Sequence, residues 1–391
     1  MHYGTRIPML LLLVLFAAQA AEAIPAFARK YDMSCVTCHR PAPKLKDYGG
    51  DFAGNAFQLV DKEPPRFTRE TGDELLLLMR DFPLAVRFDA YARWLPNTAG
   101  QADFQWPYGV KLLSGGLIAK DIAYYFYFFM GERGEVAGLE DTYLMFNNVF
   151  NVDFDIYLGQ LQVSDPLFKR ELRLTFEDYQ IYRIHPGLSN INLTYDRGVM
   201  MTLAFDTGTF LALQILNGSG IGPADPERNF DYDKYKPVAL RVSQDVGEYL
   251  RVGLFGYYGS ETLQDDHVST VSMWGPDVTV TAGPWELNAQ YIERRDSDPV
   301  PPSMTGQVDP RNDRSRGGFA ELIYTPNEDD SRWFGILLYN WYEIGPGVAK
   351  YNAATASFSY LLARNFRFVG EYSYDFVLSA NLLTAGFVAA F

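Results

Sequence analysis

Phe366-Arg367-Phe368-Val369-Gly370-Glu371-Tyr372-Ser373-Tyr374-Asp375-Phe376 alternates with a period of two. Phe366, Phe368, Tyr372, Tyr374 and Phe376 fall on one face, and Arg367, Glu371, Ser373 and Asp375 on the other. Such alternation is the pattern of a strand with one apolar and one polar side. Segment 84–94 repeats it, with Leu84, Val86, Phe88, Ala90, Ala92 and Trp94 opposite Arg87, Asp89 and Arg93. Segments 238–245, 250–258 and 285–291 behave similarly, whereas Ile122 to Met130 is apolar on both faces.

Working outward, strands are expected near 83–95, 109–119, 121–132, 137–148, 152–163, 197–205, 209–217 and 236–245. A second half follows near 249–259, 268–280, 284–295, 316–325, 332–343, 351–362, 365–376 and 381–391. The segments have the length of tilted membrane-crossing strands, and about sixteen is the even number that a single-chain barrel requires. Connections mostly alternate between long (96–108, 164–196, 218–235, 296–315) and short (Lys120, 149–151, Asp206 to Gly208, 246–248, 363–364). Long outer loops and short periplasmic turns give that rhythm. Two connections assigned to the long side, 133–136 and 377–380, are short and break it. The chain ends on Phe391, in line with Phe387, Ala385 and Leu383, a terminal aromatic of the kind that outer-membrane barrels carry. The expected fold for 83–391 is an all-β transmembrane barrel of about sixteen antiparallel strands. Within 164–196 the reading stays open: Leu172 to Ile184 is a further strand or a loop folded into the pore.

Composition agrees with a barrel. Aromatics are 15% of residues while charged residues are still 21%. Facing lipid, aromatics need no soluble core to bury them. Residues 1–23 read as a secretory signal: Arg6, the apolar run Met9 to Ala18, then Ala21-Glu22-Ala23. That run is too short to span a bilayer as a helix, as is Leu75 to Met79. The net charge of −14 suits attraction of cations, with acids clustered at Asp225 to Asp233, Asp265-Asp266 and Asp296 to Asp298. No catalytic triad, phosphate loop or nucleic-acid-binding patch is present.

The chain's two cysteines fall in Cys35-Val36-Thr37-Cys38-His39, just behind the export signal. Cys-x-x-Cys-His is the attachment site of a c-type haem: the thiols of Cys35 and Cys38 bond the porphyrin, and His39 is the proximal iron ligand. A disulfide, a zinc half-site and a redox pair are the alternatives. Zinc would need two more ligands, and the other histidines are only His2, His185 and His267. Residues 24–82 would form the small, mainly α cytochrome domain, with helix-compatible stretches at Pro43 to Phe57 and Thr71 to Arg80. A covalent haem supplies the core that so short a segment lacks. Met79 is a candidate distal ligand; Met33 sits so close to Cys35 that folding over the ring looks strained, and His185 would have to reach in from the long loop.

The run Ile24-Pro25-Ala26-Phe27-Ala28-Arg29-Lys30-Tyr31, then Cys35 to His39, then Pro43-Lys44-Leu45, Gly49 and Phe52, resembles the fused monohaem cytochrome–porins of the outer membrane. That family includes the iron(II) oxidases of iron-oxidising bacteria. The match covers roughly 24–57, and members usually carry glycine where this chain has Asp32. The resemblance implies one covalent haem c, with the N-terminal domain in the barrel lumen or periplasm of a Gram-negative cell. It implies an electron conduit between extracellular Fe(II), or another donor, and a soluble periplasmic cytochrome, which would make the chain an iron(II):cytochrome c oxidoreductase. The same conduit run outward, a diffusion porin gated or sensed by its haem domain, and more weakly a peroxidase are the competing expectations.

Overall fold

The computed structural model describes residues 26–59, 71–73, 75–76, 78–80, 82–96, 101–136, 138–263, 266–299, 314–345 and 349–391. The expected signal, cleavage site and Ile24-Pro25 lie outside the described residues, as does Asp265.

Sixteen antiparallel strands close into one barrel. In chain order they are β1 (Leu84–Leu95), β2 (Gln101–Ala119), β3 (Ile122–Glu132), β4 (Gly138–Phe146), β5 (Phe154–Gln162), β6 (Tyr195–Ala204), β7 (Thr209–Leu216) and β8 (Val238–Val246). Then come β9 (Leu250–Thr262), β10 (Val268–Ala282), β11 (Trp285–Asp296), β12 (Arg314–Tyr324), β13 (Trp333–Ile344), β14 (Ala349–Ala363), β15 (Phe366–Asp375) and β16 (Ala380–Ala390). Each pairs with its neighbour in sequence, and β1 closes on β16 from Arg87↔Ala390 to Trp94↔Leu383. Closure leaves no unpaired edge, which a strand in hydrocarbon could not tolerate. Phe391 extends the seam by exchanging backbone hydrogen bonds with Val86.

The alternation resolves as expected. Phe88, Trp94, Leu383 and Phe387 are exposed on the outer wall, while Asp89 and Arg367 are buried on the inner one. Near the short turns Trp285, Tyr324, Trp333 and Phe358 follow one another around the outside, with ring centroids 4.3, 5.8 and 5.8 Å apart. This is the aromatic girdle of a membrane barrel.

Two expectations are corrected. Residues 101–108 are not loop: β2 starts at Gln101 and pairs with the upper half of β1. The register shifts between Asp89 and Tyr91, where Gly109 gives way to Gln105. That bulge absorbs Pro107, which has no N–H for the ladder, and the proline made the stretch read as loop. Asp296 is not a loop acid either; it is buried at the end of β11, with Arg294 Nη2 2.6 Å from its Oδ1.

The open stretch 164–196 is settled by packing. It adds no strand but folds into the lumen as two short turns, Arg170–Leu172 and Gln180–Arg183. Its Ile181, Tyr182, Ile191 and Leu193 share an apolar core with Phe255, Met273, Ile292 and Phe319 of the wall.

Before the barrel lie α1 (Ala26–Tyr31), a single turn at Cys35–Thr37, and α2 (Asp47–Gly54). Their core is Cys38, Phe52 and Phe57, with Phe27, Tyr31, Met33 and Leu45 against it. The segment docks on the short-turn end. Arg40 approaches Glu328 at 3.5 Å, Lys46 pairs with Asp329 at 2.7 Å, and Lys44 pairs with Glu286. Phe57 then stacks on Tyr125 of β3, with centroids 5.6 Å apart.

Candidate functional site

Between this segment and the barrel wall lies a cavity of about 350 Å³. Phe27, Met33, Cys35, Cys38, His39 and Phe52 line one side of it. From the barrel come Arg87, Tyr125, Tyr127, Lys169, Arg364 and Arg367. It begins at the short turns and reaches Tyr127, the middle residue of β3. A larger concavity on the outer wall, around Trp94, Phe104 and Trp285, belongs to the lipid-facing surface.

The sequence motif builds the inner half of this cavity residue by residue. The backbone N–H of His39 donates to Cys35 O at 2.9 Å, closing the turn that holds both thiols near the ring. His39 Nδ1 lies 2.8 Å from Pro43 O and 3.2 Å from Lys44 O. Carbonyls only accept, so Nδ1 carries the proton and Nε2 keeps its lone pair. A backbone carbonyl on the second nitrogen is how a ligating histidine is oriented and its tautomer chosen. Burial lowers the His39 pKa, against the raising effect of those two hydrogen bonds, and so favours the neutral, ligating form. Cys35 and Cys38 are unbridged, and burial pushes both thiols up.

The other quoted residues have equally local duties. Tyr31 donates its hydroxyl to Phe57 O at 2.7 Å. Phe27 stacks on Phe57 at 5.1 Å and meets Phe52 edge-on at 5.3 Å. Asp32 has φ 52°, in the left-handed region that glycine enters without strain and aspartate tolerates.

The structure does not bring Met79 to the cavity. Three residues after it, Phe82 stacks on Tyr124 at 6.2 Å, on the face of β3 opposite to Tyr125. Among the described residues Met33 is the methionine that lines the cavity. His185 is exposed on the inserted loop, and His267 pairs with Asp298 at the far end of β10. Among the described residues no group of three or more His, Cys, Asp and Glu is arranged to hold a metal ion. The acids of 225–233 have structural partners: Asp231 binds Lys236, and Asp233 accepts the Thr262 N–H.

Sequence reading marked Arg87 and Arg367 only as the polar face of their strands. Lys169 and Glu171 carried no signal, because the inserted loop has neither alternation nor a motif. They are held by long-range pairs, Lys169 with Asp141 at 3.0 Å and Glu171 with Lys111 at 3.7 Å, and Lys169 also by a local pair with Asp165 at 2.8 Å.

No family model matches the chain, and no curated protein matches it. Solved structures do. The anion-selective porin of Comamonas acidovorans superposes with a TM-score of 0.57 at 11% identity, over 80% of this chain and 99% of that one. Salmonella typhi OmpF, in complex with daunomycin, gives 0.57 at 10% identity, over 79% and 97%. A loop-deletion form of OmpT from Vibrio cholerae gives 0.54 at 14%, over 80% and 99%. At these identities the likeness is one of fold: a porin-like barrel, with about a fifth of this chain outside it.

Proposed function

We propose that this chain is an outer-membrane electron conduit, passing single electrons from an extracellular donor, Fe(II), to a soluble periplasmic cytochrome. Cys35 and Cys38 would tether one haem c, and His39 would be its proximal ligand. When bound, that group supplies an iron centre that gains and loses one electron. The observation that carries the reading is the cavity itself. The Cys35–His39 turn lines a largely apolar chamber whose far wall is the barrel, with His39 Nδ1 already committed to backbone carbonyls.

The chain's own residues then have definable tasks. Phe27, Phe52 and Phe57 exclude water from one side, and Tyr125 and Tyr127 bound it on the side nearer the lumen. Met33 is the thioether positioned to face the cavity, and methionine ligation favours a high potential, which iron(II) oxidation needs. The short turns face the periplasm in barrels of this kind, so the docked segment is within reach of a soluble partner.

The test is direct. Purified protein should show the pyridine haemochrome absorbance of a covalent haem c, and stopped-flow mixing with Fe(II) should reduce it. A protein with the haem but no reduction would remove iron(II) as the donor. The second reading, a diffusion porin, rests on the barrel's likeness to porins and predicts high conductance in planar bilayers.

A further inference from the structure

Arg367 is buried in the cavity wall, 5% exposed, and its Nε has no hydrogen-bond partner among the described residues. The other cations lining the cavity are matched: Arg87 with Asp89 at 2.8 Å, Lys169 with Asp141 and Asp165, and Arg364 with Asp330 at 3.8 Å. Among the described residues Arg367 has no ion pair. Its Nη1 reaches Ala42 O at 3.5 Å, and its Cζ lies 5.8 Å over the Phe334 ring. Glu371, on the same face of β15, is already committed, accepting the N–H groups of Phe176 and Glu177 at 2.9 Å each.

A guanidinium cannot shed its proton to escape burial, so an unpaired one calls for an anion. Its planar fork matches a carboxylate, which it binds through two parallel hydrogen bonds. Porphyrins of the haem type carry carboxylates at one edge. We propose that Arg367 binds a carboxylate of the porphyrin tethered by Cys35 and Cys38, so that the barrel wall and the small domain hold one group between them. This rests on the haem reading above. Arg367 is a positioning and charge-compensating residue here: a cation beside the iron centre favours the reduced form, which has one electron more.

The experiment uses the full chain in detergent. Absence of a haemochrome in the wild-type protein overturns the haem reading, and this inference falls with it. With haem present, Arg367→Gln should shift the equilibrium of the haem couple at least tenfold toward the oxidised form, about 59 mV for one electron. Arg367→Lys should recover most of that shift, and Arg364→Gln, which removes a cation already paired, should move it far less. A haem-loaded R367Q protein with unchanged potential overturns the assignment. Should R367Q fail to fold, a map of the loaded wild-type protein decides: a porphyrin carboxylate on the Arg367 guanidinium supports it, and a free anion or none there overturns it.

Discussion

A Cβ at position 49 would lie 2.2 Å from the carbonyl oxygen of Cys38, so Gly49 is what lets α2 rest directly on the attachment turn. The same carbonyl accepts the N–H of Lys46 at 3.0 Å, which fixes the helix start. Gly49→Ala must push the two apart, and overpacking of this sort costs about 1–3 kcal/mol. The expected result is a lower haem content per folded barrel with an unchanged heat-modifiable band of the barrel itself. Full haem content in G49A would show that the contact is dispensable.

Most of the barrel was legible because the rule behind it is geometric. Lipid outside and charge inside force a period of two, as in Arg87/Phe88 and Arg367/Phe368, and turns interrupt it at fixed intervals. The Cys35–His39 motif stood out by its spacing alone, and the structure puts both cysteines and the histidine on one cavity. The cavity's outer half was not legible. Lys169 and Glu171 get their places from pairs with Asp141 and Lys111, far away in sequence, and no local pattern encodes such pairs. Met79 looked eligible because it falls in a helix-compatible run of the small domain. Nothing local said that Phe82 would carry that run onto the outer wall.

Met33 and Met79 make opposite predictions. Met79→Leu should leave the haem spectrum and midpoint potential where they were. Met33→Leu should lower the potential and alter the spectrum, since a thioether facing the cavity is lost while the side-chain volume is nearly conserved. Spectra unaffected by M33L but altered by M79L would reverse the assignment.

The inserted loop is held chiefly by Phe319. Tyr179 stacks on it at 4.1 Å, and Phe168 and Tyr182 meet it edge-on at 5.3 and 6.0 Å. Truncating a buried aromatic costs about 3–5 kcal/mol, here taken mostly from loop docking because the barrel ladder does not depend on it. Phe319→Ala should therefore raise single-channel conductance in planar bilayers and expose residues 163–194 to protease. Wild-type conductance in a folded F319A barrel would mean that the loop is not what closes this half of the lumen.

Asp178 joins the loop's charges at a single carboxylate. Arg170 binds it with both forks, Nε lying 3.1 Å from Oδ1, and Arg173 and Arg183 each approach to 3.9 Å. Its backbone carbonyl accepts from Asn340 Nδ2 at 2.8 Å, which ties the cluster to the wall. Burial by itself would raise this carboxyl, but Arg173 and Arg170 outweigh it and hold Asp178 well below the usual carboxylate range. In an undocked loop the group would titrate near the ordinary value of about 3.9. A depressed folded value contributes stability that is fully present above that pH and is lost as pH falls through the folded value. Conductance should thus stay flat from neutral pH down to about 4 and rise only below it. Asp178→Asn should abolish the plateau, because the buried Arg170 and the half-buried Arg173 lose their anion at a cost of about 3–5 kcal/mol, giving an open channel already at pH 7. If D178N conducts like the wild type at neutral pH, the carboxylate is not what secures the loop.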